Sequence, residues 1–253
     1  MIIDSHAHLG KWHRLDGSPE RLLREADRLG IERLCVSSAW AIAYEPDEGN
    51  QQVLDAVARW PDRLVGYYAI PSAHYAAQAV RELPDVVGDG GMRGLKIYTR
   101  YRIFEGGLAW TGVTLTEPSM WPLFELAAEL RLPVLAHAAP QEFDAVARRV
   151  PGVRLIIAHL GDTGQGSGDY HRALDVARRH PNVYVDTCGS MVNLTLVEDA
   201  VAALGADRVL FGTDLPILDP AAQLAKVTGA RLDAAARQRI LGENIAALLE
   251  RGP

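Results

Sequence analysis

Residues Pro133–Leu160 read PVLAHAAPQEFDAVARRVPGVRLIIAHL, and this stretch decides the fold. Pro133–His137 (PVLAH) is a short apolar run of strand character that closes on a histidine. Glu142–Arg149 follows as a short helix. Val153–His159 (VRLIIAH) is a second apolar run, and it also closes on a histidine. Strand, helix and strand in this order form the unit of a parallel sheet, because parallel neighbours need a crossover between them.

The alternation continues in both directions. Upstream, strand-like runs fall at Met1–His8, Ile31–Ser37, Leu64–Ile70 and Met92–Tyr98, with helical patterns at Pro19–Leu29, Glu48–Arg59, Ala73–Leu83 and Trp121–Leu130. Ser18 before Pro19 and Gly30 after Leu29 mark the start and stop of the first helix. Downstream, strands at Val183–Thr187 and Arg208–Gly212 alternate with helices near Tyr170–Arg179, Leu194–Leu204, Pro220–Thr228 and Asp233–Leu249. Gly10–Ser18, Thr99–Pro118 and Gly161–Gly168 are left as loops. Eight strand–helix pairs predict an α/β protein of the (β/α)8 TIM-barrel type, with an open doubly wound sheet as the lesser option. The 253 residues show no break in composition, so residues 1–253 are expected to form a single domain.

Composition narrows the classes of function. A net charge of −6 without a Lys/Arg cluster argues against nucleic-acid binding. No apolar run approaches the roughly 20 residues that span a bilayer, and the apolar start ends at Asp4, too early for a signal peptide. A cytoplasmic protein with a small-molecule substrate is expected, with no membrane partner and a homodimer as the default assembly. Cys35 and Cys188 fit no metal spacing and read as buried free thiols.

In such a barrel the active site lies where the strands end at their C-terminal side. Strand 1 ends in His6 and His8, strand 5 in His137, strand 6 in His159, and strand 8 in Asp214. Four of the eight histidines thus occupy one layer. His6 and His8 share a strand face about 7 Å apart, where two imidazoles can hold one divalent cation; such a pair also arises by chance. Strand 4 carries Lys96 and Tyr98 on one face.

The segments DSHAHLG, PVLAHAA, LIIAHLG, LFGTDLP and GENIAALL resemble the amidohydrolase superfamily, in its amidohydrolase-related (amidohydrolase 2) branch, over nearly the whole chain. The resemblance implies a metal-dependent (β/α)8 barrel, in a family mostly of hydrolases with decarboxylases among its members. It also implies that His6, His8, His137 and Asp214 ligate the metal, and that Asp214 and His159 act as acid, base or electrophilic groups. Three neutral imidazoles and one carboxylate leave a divalent ion positively charged, with a position open for water. Zn2+ is the first candidate, and Mn2+ or Fe2+ are alternatives. Zn2+ brings a bound water's pKa to about 7, so that Asp214 can take its proton while His159 polarises a carbonyl.

Lys96 leaves three readings open: an ion pair with Asp4 or another carboxylate inside the barrel, a contact to a substrate carboxylate, or a carboxylated bridge to a second metal. Arg100 and Arg102 flank Tyr101 on the catalytic side and suit an anionic substrate, as does the Lys96–Tyr98 face, although an exposed loop is an equal reading. The leading function is hydrolysis of an amide, ester or lactone by a metal-activated water. The alternative is a metal-dependent decarboxylase of an aromatic or unsaturated acid, followed by a metal-free lactonase or a non-catalytic barrel.

Overall fold

The computed structural model describes residues 1–12, 15–87, 91–98, 101–104, 107–110, 114–161 and 170–250, without the side chains of residues 12, 101–104 and 107–110. Eight strands run parallel, each bonded to the next: β1 (Ile3–Trp12), β2 (Arg33–Ser38), β3 (Leu64–Ile70), β4 (Met92–Tyr98), β5 (Pro133–His137), β6 (Arg154–Ile157), β7 (Val183–Asp186) and β8 (Val209–Leu210). The ring closes past the end of β8. Ala7 pairs with Leu215, Ser5 N donates to Phe211 O at 2.9 Å, and Asp214 N donates to His6 O at 2.7 Å. The expected barrel is therefore present.

The helices that follow the strands are α1 (Pro19–Leu29), α2 (Pro46–Arg59), α3 (Ala76–Val87), α4 (Trp121–Glu129), α5 (Pro140–Arg149), α6 (Tyr170–Arg179), α7 (Leu196–Leu204) and α8 (Pro220–Thr228). Their apolar faces pack on the outward residues of the strands, with Leu34, Val36, Leu95, Ile97, Val134 and Leu155 in one large core. Phe124 on α4 and Phe143 on α5 are fully buried there, and each such side chain contributes roughly 1.5–3 kcal/mol. The inward residues Ile3, Cys35, Val65, Tyr67, Leu135, Ile156 and Leu210 form a second core inside the ring.

The final helical segment fills the bottom of that ring. It runs from Ala234 to Leu249 through a π-helical turn at Arg239–Glu243, and its Ile245 and Leu248 join the inner core. Asn244 donates to Ala206 O at 2.7 Å and Val209 O at 2.8 Å, which fixes the entry to β8.

Three expectations change. The loop expected at Gly10–Ser18 is a hairpin, since β1 runs on to Trp12 and pairs antiparallel with Leu15–Gly17. Within Thr99–Pro118, the strands Tyr101–Phe104 and Gly107–Trp110 pair as a second antiparallel ribbon. β6 stops at Ile157, and His159 sits in a tight turn beyond it rather than on the strand. Residues 162–168 of the expected Gly-rich loop lie outside the described residues. Among the described residues no helix is long and apolar enough to cross a membrane.

Candidate metal centre

The barrel mouth is built from two adjoining pieces. The first is the seam between β1 and β8. The register of β1 against β2 slips between Asp4 and Ala7, where three steps on β1 face two on β2. This bulge changes which residues face inward, so Ile3, His6 and His8 all point into the barrel while Ala7 and Leu9 pack outside. Asp4 holds the bulge in place. Its Oδ1 accepts from His6 N and Thr213 N, both at 2.9 Å, and its Oδ2 accepts from the Thr213 hydroxyl. Burial pushes the Asp4 carboxyl up to about 7 despite these donors.

At the seam the ligand-forming atoms converge. His8 Nε2 lies 3.1 Å from Asp214 Oδ1, and His6 Nε2 lies 3.6 Å from the same oxygen. The far nitrogen of each ring is also engaged: His6 Nδ1 is 2.9 Å from Asp186 Oδ2, and His8 Nδ1 is 3.0 Å from the Ser37 hydroxyl. When those Nδ1 atoms carry the protons, both Nε2 lone pairs face the Asp214 carboxylate. Burial lowers the pKa of both imidazoles, with the Lys96 cation adding to the effect at His6. Burial alone would raise Asp214, but the surrounding His159, His8 and His6 rings override it and hold the carboxyl below its usual range. Two imidazoles and a carboxylate within reach of one point suit a divalent cation.

The second piece is the corner between β6 and β7. His159 and Leu160 adopt left-handed backbone, with φ of 58° and 51°, and Asp214 does so at 60°. Such conformations cost non-glycine residues on the order of 1 kcal/mol or more and persist only where other contacts impose them. Asp186, at the end of β7, imposes the one at His159. Its Oδ1 accepts from His159 N at 2.8 Å while its Oδ2 engages His6. Cys188, two residues on, lies 3.2 Å from both His6 Nδ1 and His159 Nδ1 and donates to Asp186 Oδ1 at 3.1 Å. Gly189 makes this approach feasible: its φ is 127°, and a Cβ there would lie 3.2 Å from the His159 Cβ.

Lys96 is fully buried, with Nζ 2.7 Å from His6 Nε2. Of the open readings for Lys96, a pairing with Asp4 is not formed, because Asp4 is committed to the bulge and to Thr213. Burial lowers the Lys96 ammonium from its ordinary range against the pull of Asp214 and Asp186. His137 lies in the same layer, edge-on to Tyr98 at 4.7 Å and to His159 at 5.0 Å between ring centroids, but outside the two tight donor groups. Arg100 and the side chain of Arg102 fall outside the described residues. Asp186 and Cys188 are the site residues that sequence reasoning missed. The available signal was Asp186 closing the apolar run of strand 7, the same signal that marked His137 and His159.

The comparisons bear on this arrangement. Residues 3–251 match the family described as Amidohydrolase. The chain is 26% identical to the gamma-resorcylate decarboxylase of Rhizobium radiobacter over 262 residues, which covers 81% of this chain and 78% of that protein. The crystal structure of 2,6-dihydroxybenzoate decarboxylase from Rhizobium superposes with a TM-score of 0.76 at 19% identity, covering 98% of both chains. A dihydroxybenzoic acid decarboxylase from Polaromonas sp. JS666, with bound manganese and 2-nitroresorcinol, gives a TM-score of 0.77 at 18% identity, covering 98% of this chain and 96% of that one. The match over nearly its full length, on a barrel with this layer of histidines and an aspartate, makes this chain a member of the Amidohydrolase family.

Proposed function

We propose that the protein is a metal-dependent decarboxylase of a small aromatic acid. One divalent ion would be held by His6, His8 and Asp214, with His137 as the fourth ligand. This reverses the order of the two readings drawn from sequence, which set hydrolysis first. The observation that carries the proposal is the pairing of a cation-binding donor group with a buried lysine, Lys96 Nζ standing 2.7 Å from His6 Nε2. A carboxylate substrate meets positive charge there from two sources, whereas a neutral amide or ester would leave the lysine unused. The decarboxylases among the similar proteins support the same choice. Mn2+ stands beside Zn2+ as a candidate, because the Polaromonas structure contains manganese.

When bound, the metal supplies a fixed positive charge that orients and polarises the substrate's anionic oxygens. Lys96 binds the carboxylate. Asp214, whose pKa the nearby His159, His8 and His6 lower, takes a proton from a hydroxyl next to that carboxylate and returns it to the ring carbon bearing the carboxylate. The C–C bond then breaks, its electron pair restores the aromatic ring, and CO2 leaves; solvent reprotonates the phenolate. His159, in the turn after β6, lowers the Asp214 pKa electrostatically.

The test is CO2 release from a panel of hydroxybenzoates by protein loaded with Mn2+ or Zn2+. Asp214→Asn should lower kcat by about 10²–10⁴-fold, and Lys96→Met should chiefly raise KM for the acid. Hydrolysis of amides, esters or lactones without CO2 release from any acid would refute the proposal.

A further inference from the structure

We propose that Cys188, His159 and Asp186 form a second cation site, for a soft divalent ion such as Zn2+ or Cd2+, which shares the His6 ring with the first. The donor atoms are already close. Cys188 Sγ lies 3.2 Å from His159 Nδ1, 3.2 Å from His6 Nδ1 and 3.1 Å from Asp186 Oδ1, and one donor atom from each of the four residues falls within a mutual 4.8 Å. Bonds of about 2.0–2.3 Å in a tetrahedral site place ligand atoms about 3.3–3.7 Å apart, so small shifts suffice. All four residues are buried at the barrel mouth.

Local structure explains why these atoms meet. Asp186 and Cys188 are two residues apart on the continuation of β7, so both side chains turn inward. The left-handed turn at His159 swings its ring beneath them. From α8, Lys226 donates to Gly189 O at 2.6 Å and anchors the backbone just after Cys188.

The two sites differ in chemistry and meet at one ring. The seam offers only nitrogen and oxygen, which suits Mn2+ as well as Zn2+. The corner adds sulfur, which favours Zn2+ and Cd2+ over Mn2+. His6 presents Nε2 to the seam and Nδ1 to the corner, and these atoms point away from each other across the ring, so an ion at the seam does not reach Cys188. Coordination at the corner forms a sulfur–metal bond and releases the thiol proton to solvent, with no change of oxidation state. An ion that also takes His6 Nδ1 releases that nitrogen's proton to solvent as well, breaks its hydrogen bond to Asp186 and makes the ring an imidazolate shared by the two sites.

The experiment is a Cd2+ titration of the metal-free protein, followed by ultraviolet sulfur-to-cadmium charge transfer and by equilibrium dialysis. Two Cd2+ per chain are expected, with the charge-transfer band growing in step with one of them. The band should vanish and the stoichiometry fall to one in Cys188→Ser, and both should be retained in Cys35→Ser. Circular dichroism checks the fold of each variant, and the natural chain gives a decisive result by itself. A single Cd2+ without the band, or a band that survives in folded Cys188→Ser, would overturn the proposal. The readout is binding, so it holds or fails independently of whether the chain releases CO2 from an acid.

Discussion

The two sides of the His6 ring are held by different kinds of structure. On the Nε2 side, His8 and Asp214 sit on neighbouring backbones joined directly by hydrogen bonds, with Asp214 N on His6 O at 2.7 Å and His8 N on Leu215 O at 2.7 Å. Moving those donors apart means opening the barrel. On the Nδ1 side, His159 and Cys188 are gathered chiefly by one carboxylate, Asp186, acting on a left-handed turn. The seam is set by the ring of strands, whereas the corner depends on a single side chain. Perturbing the corner should therefore detune the site, and perturbing the seam should abolish it.

The largest effect is expected from His6→Ala, which removes the ring common to both sides. Metal affinity at the seam should fall by more than the roughly 10–100-fold that loss of an outer partner costs, and elemental analysis of purified protein should find it depleted. Retention of one full equivalent of metal would show that His6 is not a ligand. Asp186→Asn should give a smaller loss, about 10–100-fold in affinity, because His6 loses the carboxylate that fixes its tautomer. Ser37→Ala, the equivalent change behind His8, should cost less than Asp186→Asn, since a hydroxyl polarises the ring more weakly than a carboxylate. Competitive titration against a chelator ranks the three variants. If Ser37→Ala costs more than Asp186→Asn, the contrast between seam and corner is wrong.

The residues that meet at the seam were legible in the sequence, whereas of the corner His159 was and Asp186 and Cys188 were not, for physical reasons. His6, His8, His137, His159 and Asp214 each close or follow an apolar run, where a continuing core strand would carry another Val or Ile. That pattern survives in one dimension. The bulge at Asp4 does not, because it is a slip of register against a strand some 30 residues away, and without it Asp4 looked like a partner for Lys96. The left-handed residues His159 and Leu160 are themselves neither glycine nor asparagine, and Gly161 follows only after them, so the turn at His159 is not announced. Cys188 joins the site only because that turn brings His159 toward β7, a contact between residues 29 apart in sequence. The hairpin at Gly10–Gly17 was read as a loop because its short strands lack a clear alternation of apolar residues.

The smallest expected effect lies far from the metal, where α5 meets the end of α6, and it serves as a control for the site variants. Asp144 on α5 is bonded to His180 Nε2 at 2.8 Å and Arg179 Nη2 at 3.1 Å, and also to Arg148. The His180 hydrogen bond, with Arg148 and Arg179 adding to it, lowers the Asp144 pKa against the opposing effect of burial. A carboxyl whose folded pKa is depressed contributes its stability fully above the unfolded value and loses it as pH falls through the folded one. At neutral pH, Asp144→Asn should therefore cost about 0.5–1 kcal/mol, as expected for a partly screened network. The difference from the natural chain should shrink as pH drops below the ordinary carboxylate range, and added salt should reduce it as well. Urea unfolding of both chains across that range measures it. Metal affinity should be unchanged, because the cluster meets β7 at its first residue, where Val183 N donates to His180 O at 3.1 Å, while Asp186 lies at the other end of that strand; a parallel loss of metal would mean that the helices outside the barrel set the geometry of the seam.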